Sequence, residues 1–285
     1  MVTLPSIAEA LQWAGSQLAD SPTAKLDAEV LLAHVLAVER VYLLTWPERA
    51  VQPSAWQTFQ QLVEQRMTGV PVAHLVGQRE FWSLPLRVNA STLIPRPDTE
   101  VLVEATLQLS LPAEAQVLDL GTGTGAIALA LKSSRPQWQV SAVDRHPDAV
   151  LLAQHNAAEL GLAIAVFQSD WFAAVTPNQA FHLIVANPPY IDAEDPHLQQ
   201  GDVRFEPLSA LIAEQQGFAD LAHIVSTAPK FIQPQGWLVL EHGWQQGEAV
   251  RKAMLARGYQ EVTTVRDYAN LDRVTLGQWS QAHVK

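Results

Sequence analysis

Strand-like and helix-like segments alternate along the chain from residue 100 onward. Apolar segments of strand length occur in AQVLDLG, WQVSAVD, IAVFQSD, FHLIVAN and GWLVLEH, and near residues 261–265 and 274–278. Helical patterns lie between them at residues 125–133, 147–160 and 218–231, and in GEAVRKAMLARG. Alternation over this length predicts an α/β fold, in which a mostly parallel sheet carries helices on both faces.

The first 70 residues have a different pattern, because apolar residues recur there at helical spacing. Three helices are expected, in SIAEALQWAGSQLAD, TAKLDAEVLLAHVLAV and SAWQTFQQLVEQRMTG. Ser6 with Glu9, and Ser54 with Gln57, have the spacing of capping boxes at helix starts. This region shows no pattern of a nucleophile, a metal cluster or a phosphate loop. It is therefore either a plain helical bundle or a module that recognises a partner.

A chain of 285 residues exceeds one typical hydrophobic core, so two domains are expected. We place a helical domain at residues 1–75 and the α/β domain at residues 96–285. Residues 76–95 mix aromatic residues, β-branched residues and prolines, which predicts an extended or hairpin connector.

Composition limits the classes of function. The absence of cysteine excludes disulfides and thiolate metal sites, and the nine histidines have no ligand spacing, so no metal is expected. No apolar run reaches the ~18 residues that cross a bilayer, and the first residues lack the features of a signal peptide. We therefore expect a cytoplasmic protein without a membrane partner. The net charge of −11 argues against nucleic acid, which is bound by basic surfaces.

A glycine-rich segment, VLDLGTGTGAIALAL, stands between the first strand of the α/β domain and the helix that follows it. Glycines let the backbone turn tightly and approach a ligand, and a helix N-terminus attracts negative charge. The segment predicts a cofactor that contains adenosine, and its spacing fits NAD as well as S-adenosylmethionine. The candidate cofactor-binding residues here are Asp119, Gly121, Thr122, Gly123, Thr124 and Gly125.

Polar residues also follow the next two strands. Asp144 ends the second strand, where a carboxylate can accept hydrogen bonds from both hydroxyls of a ribose. Asp170 and Trp171 follow the third strand, at the edge of the sheet where ligands bind. Asp170 can accept a hydrogen bond from the adenine amino group, and Trp171 can pack on the adenine ring.

The fourth strand of this domain ends in Asn187, Pro188, Pro189 and Tyr190. The two prolines fix their φ angles and make the loop stiff. The side-chain oxygen of Asn187 and the carbonyl oxygen of Pro188 can accept the two hydrogens of a planar –NH₂ group, against which Tyr190 can stack. We call residues 187–190 the amide clamp, since they predict a site for an amide or an aromatic amine. Asn187, Pro188 and Tyr190 are the catalytic candidates.

These motifs together resemble the bacterial PrmC/HemK family, whose members methylate the glutamine of the Gly-Gly-Gln motif in class-one peptide-chain release factors. The resemblance is carried by LIPRPDTE, VLDLGTGTGAIALAL, VANPPYI, VRFEPLSAL and GWLVLEHGWQQGEAVR, between residues 77 and 277. It implies a Rossmann-like, seven-stranded methyltransferase sheet with a small N-terminal helical domain that recognises the substrate protein.

The resemblance also implies S-adenosylmethionine as cofactor, S-adenosylhomocysteine as product and class-one release factors as partners. The implied cofactor contacts are residues 121–125, Asp144, Trp171 and Asn187, and the substrate glutamine would lie on residues 187–190. Arg96 and Glu206 stand in family motifs, and we expect them to position loops. The family's glycine-rich stretch after EPLSAL is replaced here by IAEQQGFADL, to which we assign no function.

Several alternatives remain. Enzymes that methylate a glutamine of a ribosomal protein share the Asn-Pro-Pro-Tyr motif, and DNA or RNA amino methyltransferases use a similar clamp. The acidic charge and the lack of a target-reading module count against the nucleic-acid enzymes. A dehydrogenase built on the same glycine loop, and a scaffold without catalytic activity, are the remaining alternatives.

Overall fold

The computed structural model describes residues 4–176 and 180–280 of the chain. It divides into two units, Met1–Gln78 with Gln199–Phe205, and Arg79–Leu198 with Glu206–Lys285. Residues 1–3 of the predicted helical domain, and residues 177–179 and 281–285 of the predicted α/β domain, lie outside the described residues. The roles assigned to residues 1–75, 76–95 and 96–285 stay predictions.

The first unit is helical. Its helices are α1 (Ile7–Gln17), α2 (Ala24–Leu36), α3 (Arg40–Thr45), α4 (Pro53–Met67) and α5 (Val72–Val76). Ile7, Leu31 and Phe59 are almost fully buried in its core. The predicted capping box at the start of α1 is present, because Ser6 and Glu9 each accept a hydrogen bond from the other's backbone N–H.

The predicted capping box of Ser54 with Gln57 is wrong. The N-cap of helix α4 is Gln52, two residues before Ser54, and it makes no side-chain capping bond; the helix begins at Pro53. Proline has its φ angle already set for the first helical position and has no N–H that a cap would need to satisfy. Pro53 therefore starts the helix without a side-chain cap.

Residues 199–205 return to the first unit late in the chain. Asp202 accepts a hydrogen bond from Nη1 of Arg66 at 3.0 Å, and Nε of the same arginine donates to Asp27 at 2.8 Å. A Cβ atom on Gly69 would lie 1.9 Å from Nη2 of Arg204. One partly buried guanidinium thus connects α2, α4 and this late segment.

The second unit is α/β. Its strands are β1 (Gln78–Phe81), β2 (Leu84–Arg87), β3 (Gln116–Leu120), β4 (Gln139–Asp144), β5 (Ala165–Gln168), β6 (Phe181–Ala186), β7 (Ile232–Glu241), β8 (Tyr259–Arg266) and β9 (Asp272–Trp279). Its helices are α6 (Pro97–Leu107), α7 (Ala126–Ser134), α8 (Pro147–Leu160), α9 (Glu214–Gly217), α10 (Ala219–Thr227) and α11 (Gly247–Arg257). Strands β1 and β2 form a separate two-stranded sheet.

The main sheet has seven strands in the order β5-β4-β3-β6-β7-β9-β8. The first five are parallel, and β9 runs antiparallel to both of its neighbours. Buried side chains on both faces form two hydrophobic clusters, as a sheet with helices on both sides requires. The predicted α/β fold with a seven-stranded Rossmann-like sheet is confirmed.

The sheet has a topological switch point beside β3, because the chain adds β4 on one side of it and later adds β6 on the other. In β3, Leu120 pairs with Val143 of β4 and with Ala186 of β6. The loops that follow β3 and β6 therefore emerge next to each other at the carboxyl edge, where open sheets of this kind bind ligands. In the described ranges, no helix has the length and apolar character needed to cross a bilayer.

Candidate active site

A cleft of about 930 Å³, including the space that opens to solvent, lies at the switch point. The predicted site residues that line it are Gly121, Thr122, Gly123, Thr124, Asp144, Asp170, Trp171, Asn187 and Pro189. Asp119, Gly125, Pro188 and Tyr190 are not among the residues that line it. The structure thus brings both sequence motifs to a single cleft.

The glycine loop between β3 and α7 turns through left-handed backbone. Gly121, Gly123 and Gly125 have φ angles of +70°, +54° and +84°. Gly125 is the N-cap of α7, and a Cβ atom there would lie 3.1 Å from Cδ1 of Leu129 and 3.3 Å from Cβ of Ala153. Gly125 therefore serves the packing of the helix, whereas Gly121 and Gly123 face the cleft.

Asp119 lies beneath this loop and is fully buried. Its Oδ2 accepts a hydrogen bond of 2.6 Å from the Thr122 hydroxyl. Burial raises the pKa of Asp119 to about 7, and the Thr122 hydroxyl opposes that shift. The structure therefore gives Asp119 a role in holding the loop, and its direct contact with a cofactor stays a prediction.

Asp144, at the end of β4, connects two backbone segments of the cleft. Its Oδ2 accepts the N–H of Gly123 at 3.0 Å, and its Oδ1 accepts the N–H of His146 at 2.9 Å. Each carboxylate oxygen has about two acceptor positions, so one on each oxygen is left for another donor. Asp144 can therefore hold the glycine loop and still accept hydrogen bonds from the two hydroxyls of a ribose.

The turn after β5 presents Trp171 to the cleft. The Ser169 hydroxyl donates to the carbonyl of Trp171 at 2.8 Å and accepts the N–H of Ala174 at 2.9 Å, which holds Trp171 at a φ of +47°. A Cβ atom on Gly121 would lie 3.4 Å from the Trp171 ring. Such a Cβ atom would make ordinary van der Waals contact with the ring, so the φ of +70°, and not the ring, is what favours glycine at position 121. Asp170, next to it, is exposed and lines the cleft.

Sequence reasoning missed Arg145, His146 and Asp220, which also line the cleft. Burial raises the pKa of the Asp220 carboxyl, and Arg145 is the strongest influence in the opposite direction. Arg145 and His146 follow Asp144 directly, so their place after a strand was a usable signal. Asp220 belongs to the segment that departs from the family pattern, and nothing in that pattern marks it.

Arg96 and Glu206 hold the segment that lines the cleft before α6. The Glu206 side chain is fully buried and accepts the N–H of Ile94 at 2.8 Å through one oxygen. Its other oxygen accepts Nη2 of Arg96 at 2.6 Å. These contacts are those of residues that position a loop, as the sequence predicts for both.

Asn187 and Pro188 offer two acceptors at the end of β6. Nδ2 of Asn187 donates to Oγ1 of Thr99 at 3.3 Å. Within the part of the chain that the structure describes, no donor is hydrogen bonded to Oδ1 of Asn187 or to the carbonyl oxygen of Pro188. Both oxygens thus keep their acceptor positions, as a clamp for –NH₂ requires, and Asn187 lines the cleft whereas Pro188 is buried beside it.

Tyr190 is held by contacts with Glu241 and Gln246. Its hydroxyl donates to Oε1 of Glu241 at 3.4 Å, and its carbonyl accepts Nε2 of Gln246 at 3.1 Å. Burial raises the pKa of the Tyr190 hydroxyl far above its usual value, with Glu241 adding to the effect. A Cβ atom on Gly217 would lie 2.1 Å from the Tyr190 carbonyl oxygen. These contacts fix Tyr190 at the end of the amide clamp, and its stacking on a substrate stays a prediction.

Metal ligands do not collect at this site. Across residues 4–176 and 180–280, no three His, Asp or Glu side chains are placed to hold a metal ion together.

Comparisons with known proteins agree with this geometry. Family models of the PrmC N-terminal domain and of the methyltransferase small domain match residues 9–77 and 97–202. The release factor glutamine methyltransferase of Shewanella oneidensis is 58% identical over 275 residues, which are 96% of each chain. That of Escherichia coli is 53% identical over 272 residues, 95% of this chain and 98% of its own.

A solved methyltransferase from Pyrococcus furiosus aligns with a TM-score of 0.54 at 15% identity, over 69% of this chain and 89% of its own. At that identity the likeness concerns the fold alone. The relatives from Shewanella and Escherichia carry the family assignment, since each shares more than half of its aligned residues with this chain over nearly its whole length. The resemblance drawn from the motifs is thus confirmed, and the chain belongs to the release factor glutamine methyltransferase family.

Proposed function

We propose that this protein transfers a methyl group from S-adenosylmethionine to the side-chain amide nitrogen, N5, of the glutamine in the Gly-Gly-Gln motif of class-one release factors. The observation that carries the proposal is that the glycine loop after β3 and the amide clamp after β6 meet at one cleft. A loop suited to an adenosine cofactor and a clamp suited to an amide are thus placed side by side. The names of the relatives supply the glutamine and the release factor.

The residues of the cleft fit S-adenosylmethionine. Asp144 keeps acceptor positions for the ribose hydroxyls, and Gly121 and Gly123 leave the space that a side chain would fill. Trp171 offers a face for adenine, and Asp170 offers an acceptor for its amino group. When bound, this cofactor supplies a methyl group on a positively charged sulfur, which makes the methyl carbon electrophilic.

The amide nitrogen of glutamine is a poor nucleophile, because its lone pair is delocalised into the carbonyl. The amide clamp contains no histidine or lysine that would act as a general base. Oδ1 of Asn187 and the carbonyl of Pro188 would accept the two amide hydrogens and so fix the direction of the nitrogen. Orientation of this kind contributes on the order of 7–11 kcal/mol in favourable cases. Both oxygens also stabilise the positive charge that develops on the nitrogen, and the proton leaves to water.

The partner we propose is a class-one release factor in the cytoplasm. The helical residues 1–75 would recognise that protein, and the net charge of −11 favours a protein substrate over nucleic acid. A glutamine of a ribosomal protein is the second candidate, since the same clamp would accept the same side chain.

Mass spectrometry of a purified release factor, after incubation with the protein and S-adenosylmethionine, tests the proposal. We expect a mass increase of one methylene group, located on the glutamine of the Gly-Gly-Gln motif. A release factor with that glutamine replaced should stay unmodified. Parallel reactions contain a ribosomal protein or DNA and use a radiolabelled methyl group. Transfer to either of these in preference to the release factor would overturn the assignment of the substrate.

A further inference from the structure

Glu241 is a buried carboxylate that the proposed reaction does not use. It ends β7 and is only 2% exposed. Strand β7 lies beside β6, and Ala186 pairs with Leu240. Glu241 and Asn187 are therefore the next residues along two neighbouring parallel strands. A carboxylate with so little access to water requires partners that justify its burial.

The partners of Glu241 belong to the amide clamp or touch it. The Tyr190 hydroxyl donates to its Oε1 at 3.4 Å. The hydroxyl of Thr99, in the first turn of α6, also interacts with this carboxylate, and Nδ2 of Asn187 donates to that hydroxyl at 3.3 Å. Among the described residues, no hydrogen bond of ordinary geometry joins Thr99 to Glu241. Oε2 of Glu241 has no hydrogen-bond partner there.

The direction of these hydrogen bonds follows from the charge on Glu241. An ionised carboxylate only accepts, so in the contact between Thr99 and Glu241 the Thr99 hydroxyl is the only possible donor. The lone pairs of Thr99 are then left for a donor. In the Asn187 amide only the nitrogen can donate, so the nitrogen turns to Thr99 and the oxygen turns away from it. A single negative charge thereby sets which end of the amide is offered to a ligand.

We propose that Glu241 is a positioning residue, which fixes the Asn187 amide through Thr99 and fixes Tyr190 by direct contact. The inference rests on the proposed function, because it gives the Asn187 oxygen the task of accepting an N–H of the substrate glutamine. A protonated Glu241 donates to Thr99 instead, and Thr99 can then donate to Asn187. The amide turns, and its –NH₂ meets the –NH₂ of the substrate, so two donors face each other. The contacts of 3.3 and 3.4 Å are long for hydrogen bonds, and hydrogen bonds in active sites often shorten when substrate binds.

The environment of Glu241 places its titration in the working range of an enzyme. Burial raises the pKa of Glu241 to about 7, while Thr99, Arg273 and Tyr190 lower it and Asp98 adds to the rise. Since the charged form is the productive one, turnover should increase as the pH rises through about 7. Below that range the proton on Glu241 should lower kcat.

Two threonines of α6 provide a matched pair of variants. Thr99 and Thr106 are both buried, and Oγ1 of Thr106 has no hydrogen-bond partner among the residues described. Thr99→Val and Thr106→Val each replace a hydroxyl by a methyl group of similar size. We expect Thr99→Val to lower kcat by about 10²-fold, as removal of a preorganised polar group does. Thr106→Val should keep the wild-type kcat, and Thr99→Ser should keep most of it because the hydroxyl remains.

Glu241→Gln tests the charge itself. We expect a low kcat that no longer changes with pH near 7, with an unchanged affinity for S-adenosylhomocysteine. Asp119 is a second carboxyl whose pKa burial raises to about 7. Asp119 holds the glycine loop, so Asp119→Asn is expected to lower kcat by itself, but the activity that remains should still change with pH near 7. The activity of Glu241→Gln should not, and this comparison assigns the ionisation to Glu241 and not to Asp119.

A measurement without turnover completes the test. Calorimetry with a peptide that contains Gly-Gly-Gln, in the presence of S-adenosylhomocysteine, should show weaker peptide binding at low pH for the wild type and for Thr106→Val. Glu241→Gln should bind the peptide weakly at every pH. If Glu241→Gln does not fold, the comparison of Thr99→Val with Thr106→Val tests the positioning role instead. Provided that the wild type is active, equal kcat values in Thr99→Val and Thr106→Val would overturn the positioning role. A pH-dependent kcat in Glu241→Gln would overturn it as well. A wild type without activity on release factors would instead overturn the proposed function.

Discussion

Single residues of the cleft differ in how many of their polar atoms the protein itself uses. Asp144 gives both carboxylate oxygens to backbone N–H groups, and Glu206 gives both to the segment before α6. Asn187 uses only its nitrogen, and its oxygen is left for a ligand. Asn187 is half-buried and lines the cleft, so a ligand there can reach this oxygen. Asn187 is therefore the residue whose loss should affect the reaction more than the fold.

For Asn187→Ala we expect kcat to fall by about 10²–10³-fold, because one preorganised acceptor is lost from the clamp. The thermal midpoint should change little, since the side chain makes one long hydrogen bond and is half-buried. Radiolabelled methyl transfer to a release factor measures the rate, and calorimetry with S-adenosylhomocysteine checks that the cofactor site is intact. Full activity in this variant would refute the clamp.

Asp144→Ala should act on cofactor affinity instead. Loss of hydrogen bonds to a charged acceptor costs about 1.5–3 kcal/mol, which corresponds to a roughly tenfold to hundredfold rise in Kd. Asp148→Ala is the matched control, because Asp148 is an exposed aspartate in the first turn of the next helix, α8. Calorimetry with S-adenosylhomocysteine compares the two. If both variants bind like the wild type, Asp144 does not hold the ribose.

Among the elements, the segment that departs from the family pattern supports the amide clamp through its backbone. Ile191 exchanges hydrogen bonds with Leu211 and Ala213, at 2.9 and 3.1 Å. Gly217 lies so close to the Tyr190 carbonyl that no side chain fits between them. Backbone contacts of this kind do not depend on side-chain identity. The rest of the glycine-rich stretch can therefore change while Gly217 remains.

Replacement of Gly217 should displace the loop that contains the amide clamp, because Gly217 packs against the Tyr190 carbonyl. In Gly217→Ala the new Cβ atom meets the Tyr190 carbonyl oxygen at 2.1 Å, on backbone with a φ of +79°. Gly161→Ala is the control, since its φ is +64° and the space around it is open. We expect Gly161→Ala to lose only the ~1–2 kcal/mol of left-handed strain and to stay active. Gly217→Ala should lose more stability and most of its kcat, as urea unfolding and methyl transfer will report. Equal losses in the two variants would contradict the close approach.

Helix α6 shows which elements sequence reasoning found and which it did not. Most strands and helices of the α/β unit follow from local periodicity, and α8 has the predicted limits of 147 and 160. Helix α6 was missed, although Pro97 at its first position and acidic residues in its first turn are recognisable start signals. Its buried residues cover most of its length, so it lacks the clear polar face that marks a surface helix.

At the scale of the whole molecule, two buried carboxyls make stability depend on pH. Burial raises the pKa of Asp119 from 3.8 to about 7. Between these values the folded state keeps the proton and the unfolded state releases it, so stability falls as the pH rises, by up to ~1.4 kcal/mol per pH unit. Glu241 adds a loss of the same sign.

Urea unfolding at about pH 5 and about pH 8 tests this linkage. The wild type should lose stability between the two values, and Asp119→Asn, which cannot release a proton there, should lose less. An equal loss in both proteins would show that Asp119 is already charged at the lower pH.

Long-range pairing explains why part of the site could be predicted and part could not. The glycine loop, Asp144 and the amide clamp each stand directly after a strand, so one local pattern and the rule for sheet edges locate them. Thr99 and Glu241 reach the clamp only through the register of β6 against β7 and the place of α6. No pattern along the chain connects residues so far apart in sequence.

The late return of residues 199–205 to the helical unit has a consequence for synthesis on the ribosome. The partly buried guanidinium of Arg66 can pair with Asp27 early, but its second carboxylate, Asp202, is translated only after the chain of the α/β unit up to β6. Chains grow at ~5–20 residues per second, so the nascent helices wait on the order of ten seconds for this segment. During that interval the emerging helical unit is incomplete, and its Arg66 has one of its two acidic partners.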